Sequence, residues 1–310
     1  MNRFLKKIGL NLLLFILLFC IYNGGVLYLK YNHEIDFPAA IIDKYERLES
    51  LKKESKVIIC GGSSSSYGID SEMLQTALNK PVINTSLAMS LGSEYHLNIT
   101  KDYIEKGDVI LYIPEYEYYY ENESGNKFLY TMVYYYPQII KDFTMKQKIR
   151  LFINGVKLST NFYLGLFDRK NIPSLQYTRV AYNVYGDNVS LVAEKKSKIN
   201  KSEKTRYQKL KSKKISKKFI SFIKEMKAIC KEKGASLLVS FPPIEQSQFD
   251  DQFVKDIIKV KKESGVDFIA NPESYVYNSN FFYDSSYHLN GEGRVLRTKQ
   301  LINTLKVELN

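Results

Sequence analysis

The chain has 310 residues, with 45 Lys and Arg against 33 Asp and Glu for a formal net charge of +12, and it is 45% hydrophobic and 14% aromatic with no Trp. That apolar content is enough to offset the entropy of ordering a chain, which excludes a disordered or collagen-like protein. Three cysteines, Cys20, Cys60 and Cys230, are too few and too scattered for a disulfide framework or a zinc site, so no metal centre is expected. No cofactor is expected.

Arg3, Lys6 and Lys7 precede an apolar stretch over 8–29, whose 22 residues match the roughly 20 needed to cross a hydrocarbon core. A cleaved signal peptide has a shorter apolar region and a small-residue exit, and Phe19 is too bulky before Cys20 for lipoprotein processing. Residues 1–30 are therefore expected to be a short cytoplasmic tail and an uncleaved anchor, with a buried core helix as the alternative. Basic residues on the N-terminal flank place the remainder outside, making a single-pass protein of the cell membrane with an extracytoplasmic C-terminal domain.

A connector over 31–55, helical across 44–53, leads into alternating apolar runs and amphipathic stretches. Strands are predicted at 57–60, 81–84, 108–113, 237–241 and 266–270, and helices at 73–78, 93–106, 215–233, 251–264 and 291–305. Strands that are apolar throughout are buried on both faces, and strands joined by helices imply a parallel sheet with right-handed crossovers. The predicted fold is thus a three-layer, doubly wound parallel five-stranded sheet of the flavodoxin-like kind, over 56–310, with a helical, Tyr- and Lys-rich insertion at about 114–214. Nine tyrosines fall between Tyr112 and Tyr136, read chiefly as packing for the insertion and alternatively as a stacking platform for sugars. The segment 194–218 carries ten of the twelve net positive charges and is read as a solvated surface, with anionic polymers or lipid headgroups as partners it would suit; nucleic acid is not expected outside the membrane.

In such sheets chemistry sits beyond the carboxyl ends of the strands. There the first strand runs into Gly61-Gly62-Ser63-Ser64-Ser65-Ser66, which is either a flexible Gly/Ser loop or a tight turn that presents a serine nucleophile. Before the last helix stands "YDSSYHLNGEGR", containing His288 with Asp284 nearby; the other histidines, His33 and His96, lie off this edge. A serine with a histidine and an aspartate is the set that acyl transfer requires, and a triad is defined by geometry, not by order along the chain.

Together "GGSSSSYGID", "GDVILYIPEYEYY" and "YDSSYHLNGEGR" resemble the SGNH (GDSL-like) hydrolase superfamily, most closely its membrane-anchored bacterial branch. Members of that branch act on cell-envelope polymers, in alginate acetylation and in D-alanyl transfer to teichoic acids. The resemblance covers most of 55–305 outside the insertion. It implies Ser63 as nucleophile, His288 as general base and Asp284 as the group orienting the imidazole. Three departures stand out: Ser285 occupies the place three before the histidine where the superfamily commonly has aspartate, Gly62 stands where many members have aspartate, and Pro114-Glu115-Tyr116-Glu117 replaces the block that supplies an oxyanion asparagine. The N–H groups of Ser63 and Gly92 are the expected replacements. Glu115 and Tyr116 at the active edge, Asn183 and Asp187 in a turn-forming sequence, and Asn290 beside His288 are candidate substrate contacts.

The expected function is a serine acyltransferase or esterase acting on O-acyl groups of an envelope polysaccharide or teichoic-type polymer through an acyl-Ser63 intermediate. The resemblance also implies a membrane-bound O-acyltransferase as partner. The alternative is a non-catalytic scaffold or polysaccharide-binding partner of such an acyltransferase.

Overall fold

In the computed structural model the chain is described over residues 2–31, 36–120, 127–167, 174–194, 210 and 213–309. Most of the lysine-rich segment, and His33, lie outside the described residues. Helix α1 (Asn2–Tyr31) is followed by α2 (Ala40–Ser50), β1 (Val57–Gly61), α3 (Ser63–Gly68), α4 (Ser71–Leu78), β2 (Val82–Asn84), α5 (Ser93–Asn98) and β3 (Val109–Ile113). Then come α6 (Lys127–Met132), α7 (Met145–Phe167), α8 (Lys217–Glu232), β4 (Ser236–Val239), β5 (Ile244–Glu245), α9 (Asp251–Ser264), β6 (Asp267–Phe268), β7 (Val276–Tyr277) and α10 (Gly291–Leu309).

Five parallel strands form the central sheet in the order β2-β1-β3-β4-β6, with Val57 in register with both Val82 and Val109. The chain moves outward from β1 to β2 and then crosses back to β3, so its direction reverses at the seam between β1 and β3; a crevice opens beyond the strand ends at such a reversal. Alternate residues feed opposite faces, as the period of two in a strand demands. Ile58, Cys60, Ile110, Tyr112 and Val239 face a large core against α2, α5, α8 and α9, while Val57, Ile59, Val109, Leu111 and Leu238 face a smaller one against α4 and α10. That is a mixed α/β fold of three layers.

Local chemistry explains most element ends. Asp70 accepts the Met73 N–H at 3.1 Å and starts α4, and Phe219, Phe222, Ile223, Met226 and Cys230 form the buried stripe of α8. The helix predicted across 93–106 stops at Asn98, because the Thr100 hydroxyl donates to the Leu97 carbonyl and a 3-10 turn replaces the next coil. Two features were not anticipated: the short helix α3 directly after β1, and a two-stranded parallel sheet pairing β5 with β7.

Helix α1 contains Arg3–Val26, of mean hydropathy 2.2, long and apolar enough to cross a bilayer. Its side chains from Arg3 to Leu18 are exposed, whereas Val26 is fully buried in the main core. All nine tyrosines between Tyr112 and Tyr136 are buried: Tyr116 stacks on Phe253 at 4.6 Å, and Tyr136 on Tyr45 at 3.9 Å. They are packing, and none offers a face to a sugar.

Candidate active site

The turn from β1 into α3 brings four serines to the β1/β3 seam. Gly62 is the extended N-cap of α3, and the N–H groups of Ser65 and Ser66 both donate to its carbonyl at 3.2 Å. Ser64 donates through its N–H (3.3 Å) and hydroxyl (3.0 Å) to one oxygen of Glu115, just beyond β3. Ser64, Ser65 and Ser66 are buried; Ser63 alone among them keeps access to solvent. Its N–H makes no hydrogen bond among the described residues.

The segment before α10 is a closed loop. The Tyr283 N–H donates to the His288 carbonyl at 2.9 Å, and the Ser285 hydroxyl oxygen accepts the N–H groups of Tyr287 (3.3 Å) and His288 (3.1 Å). Ser285 is thereby the turn-former, which leaves Asp284, four residues before the histidine, to reach the imidazole: its Oδ1 lies 2.8 Å from His288 Nδ1. Burial pushes the Asp284 carboxyl up, but the hydrogen bond and electrostatic attraction of His288, with a hydrogen bond from Tyr177, outweigh it and hold the group below its ordinary value. An ionised Asp284 only accepts, so Nδ1 carries the proton of that bond and Nε2 is left to take one. The imidazole packs on Tyr67, with ring centroids 4.6 Å apart. Tyr67 lies four residues after Ser63 on α3, hence on the same helix face.

Tyr287 joins this loop to the end of β3. Its hydroxyl accepts the Tyr116 N–H at 3.1 Å and donates to Glu117 at 2.9 Å. Glu115 is fully buried beside it, and burial together with the neighbouring Glu117 carboxylate raises its pKa to about 7 against the opposing bonds from Ser64. Its second oxygen, Oε2, has no partner among the described residues. From the other side, buried Arg297 of α10 donates to the carbonyls of Ser64 (3.2 Å) and Phe241 (3.0 Å).

Several expected contacts have internal roles instead. Asp187 is fully buried and accepts from Ser71 N–H (2.8 Å) and hydroxyl (2.6 Å), from Asn84 (2.9 Å) and from Arg294 (3.0 Å), which leaves no room for a ligand. Asn183 accepts the N–H groups of Tyr185 (3.0 Å) and Asp187 (2.9 Å), so its side chain builds the turn that delivers Asp187. Asn290 caps α10 by accepting the Gly293 N–H at 3.0 Å. Tyr116 and Glu115 are both without exposure. The N–H of Gly92 is spent on the Met89 carbonyl at 3.0 Å, so Gly92 is no oxyanion donor. His96 is buried against Tyr118, and burial lowers its pKa to about 3.

Other supporting residues escaped the sequence reading. Asn84, at the end of β2, ties the Ser65 carbonyl (3.0 Å) to Asp187, and Lys44 of α2 donates to the Asn84 carbonyl at 2.8 Å and to that of Gly186. A polar residue closing an otherwise apolar strand, as in VIN, was the available signal for Asn84. For Arg294 and Arg297 the signal was two arginines three apart on the buried face of the last helix. No group of three or more His, Cys, Asp or Glu among the described residues is arranged to hold a metal ion.

No protein-family model matches the chain, and no curated protein matches it. Among solved structures it is similar to the Bacillus subtilis protein YxiM, at 13% identity and a TM-score of 0.38, over 82% of this chain and 57% of that one. The chain thus spans little more than half the length of that protein, and so slight a likeness carries no argument about chemistry.

Proposed function

We propose that the chain is a membrane-anchored serine acyl-transfer enzyme of the SGNH type. The observation that carries this reading is the 2.8 Å bond between Asp284 and His288, with the imidazole seated on Tyr67 one turn along the helix that begins at Ser63. In the proposed reaction His288 Nε2 takes the proton of Ser63 Oγ, and the oxygen attacks an acyl carbonyl. The Ser63 N–H holds the resulting oxyanion. Collapse expels the leaving oxygen, which receives the proton from His288, and the acyl-Ser63 ester then passes its group to a sugar hydroxyl or to water. Glu115 and Arg297 do not touch substrate in this scheme; they fix the backbone of Ser64 and hence the direction in which Ser63 points.

An O-acylated envelope polysaccharide or teichoic-type polymer is the proposed substrate, and a membrane-bound O-acyltransferase the proposed donor-side partner. Both follow from the sequence resemblance and from α1, read as an anchor that leaves the domain outside. The full chain in detergent, treated with a fluorophosphonate and with p-nitrophenyl acetate, should acquire a mass adduct at Ser63 and release p-nitrophenol. Both signals should vanish in Ser63→Ala and fall steeply in His288→Ala; an unlabelled wild type would sink the enzyme reading. One observation favours the scaffold alternative, namely that of the two expected oxyanion donors the Gly92 N–H is already committed and only the Ser63 N–H is left, where acyl-transfer sites usually present two or more.

A further inference from the structure

Helix α7 has a composition and a position that a water-exposed helix of a globular domain would not have. Its 23 residues contain Lys146, Lys148, Arg150 and Lys157 and no acidic residue. Met145, Ile149, Phe152, Ile153, Val156 and Leu164 are each between 45% and 70% exposed. The first five recur at i, i+4, i+7, i+8 and i+11, a single stripe along the helix. On other sides of the helix Gln147 is buried and Leu151 packs on the main core, so the orientation is fixed by the domain and the apolar stripe is turned outward. Lys146, Arg150 and Lys157 share one flank of the stripe and Lys148 lies on the other, where long stems reach past apolar surface to a polar layer.

The stripe is continuous with α1. Phe152 meets Phe19 at 5.6 Å and Tyr163 meets Tyr22 at 5.0 Å, so the contacts advance in the same sense along both helices. Polar links gather toward the domain end: Tyr163 donates to the Tyr22 carbonyl (2.9 Å), Ser159 to Asn23 (2.9 Å), and Tyr22 pairs with Thr160 (2.8 Å). Apolar contacts deeper along α1 and tyrosines with hydroxyl partners nearer the domain reproduce the order of a bilayer's acyl region and its interface.

We propose that α7 lies in the membrane–water interface on the domain's side, its apolar stripe in the acyl region beside α1 and its four basic side chains among anionic phospholipid headgroups. Continuity with the apolar anchor and the one-sided positive charge select this occupant. The proposal rests on the reading of α1 as an anchor and is independent of the reading of Ser63.

The test uses the full chain with Cys20→Ser, since Cys60 and Cys230 are buried. Ile153→Cys, and separately Ile258→Cys on the exposed face of α9, are labelled with an environment-sensitive NBD dye. The proteins are reconstituted into phosphatidylcholine vesicles containing phosphatidylglycerol. The dye at 153 should be quenched at least threefold more by lipids spin-labelled near the headgroup than the dye at 258, with the reverse order for aqueous iodide. Lys146→Glu, Arg150→Glu and Lys157→Glu together should reduce the lipid quenching at 153 at least twofold. Equal iodide quenching at both positions would overturn the proposal. So would a dye at 153 shielded from both quenchers, which would mean that protein covers the stripe. Failure of the chain to float with vesicles would remove the anchor reading and this proposal together, while leaving fluorophosphonate labelling of Ser63 untouched.

Discussion

The carboxyl group of Glu115 fills the space that a side chain at position 62 would need: both of its oxygens overlap the place of a Cβ on Gly62. Glycine at the end of β1 and a buried acid at the end of β3 are therefore one feature of the seam, seen from two strands. Replacing Gly62 by Ala should cost about 1–3 kcal/mol as the acid is forced aside. Gly62→Ala combined with Glu115→Ala should recover most of that loss in urea unfolding of the detergent-solubilised chain. Strictly additive single effects would mean that Glu115 is not the reason for glycine here.

Glu115 also makes stability depend on pH. Its pKa is about 7 when folded against an ordinary value of 4.5. Between those values the native state keeps a proton that the unfolded chain has released, so the contribution falls as pH rises from 4.5 to 7 and stays at its lower level above that. Glu115→Gln has no such proton. Relative to wild type it should gain of order 2–3 kcal/mol between pH 5 and pH 8, at about 1.36 kcal/mol per unit of pKa. A constant difference between the two proteins across that range would refute the assignment.

Acyl turnover should respond to three residues as a unit. Ser63→Ala and His288→Ala should each lower p-nitrophenyl acetate turnover by roughly 10⁴-fold or more, and the double variant should be no worse than either. Asp284→Asn keeps the shape of the loop but cannot hold the same imidazole tautomer, with an expected loss of roughly 10⁴-fold. Circular dichroism spectra unlike wild type would show that the loop, not the chemistry, had failed.

Asp187 and Asn183 belong to the scaffold and should behave so. Asp187→Ala takes from buried Arg294 the nearer of its two carboxylates, leaving Asp70 at 3.8 Å, and removes the acceptor of Ser71 and Asn84, at a cost of about 3 kcal/mol. Asn183→Ala removes a turn acceptor at roughly 1 kcal/mol. Thermal unfolding should rank them in that order, and whatever fraction of each remains folded should label at Ser63 like the wild type. A variant that is fully folded yet loses polymer binding would restore either residue as a substrate contact.

Much of the fold was legible because its signals are local. Runs such as VIIC and DVILYI bury both faces of a strand, the spacing of Phe219, Phe222, Ile223, Met226 and Cys230 is that of one helix face, and an apolar stretch behind three basic residues reads as a span. Helix α3 was missed because four consecutive serines have poor intrinsic helix propensity and are held helical by contacts from Glu115, just beyond β3, and from Arg297 of α10. The candidate Ser63, His288 and Asp284 were legible as residue types at strand and helix ends. The role of Ser285, which shifts the aspartate to the fourth position, was not.

By itself, then, the sequence determined the five strands of the central sheet, most of the helices that flank them, their order and the apolar N-terminal helix, since periodicity and length depend only on neighbours along the chain. Only the tertiary structure decided what the polar residues do. Asp187, Asn84, Lys44, Arg294 and Glu115 all look like surface or site chemistry in one dimension, and all are buried. Polar groups without water must find partners, and those partners lie 40 to 142 residues away for Lys44, 51 for Glu115 and 116 for the bonds from Ser71 to Asp187. No local pattern encodes such distances; the packing of β1 against β3, and of α10 across both, does.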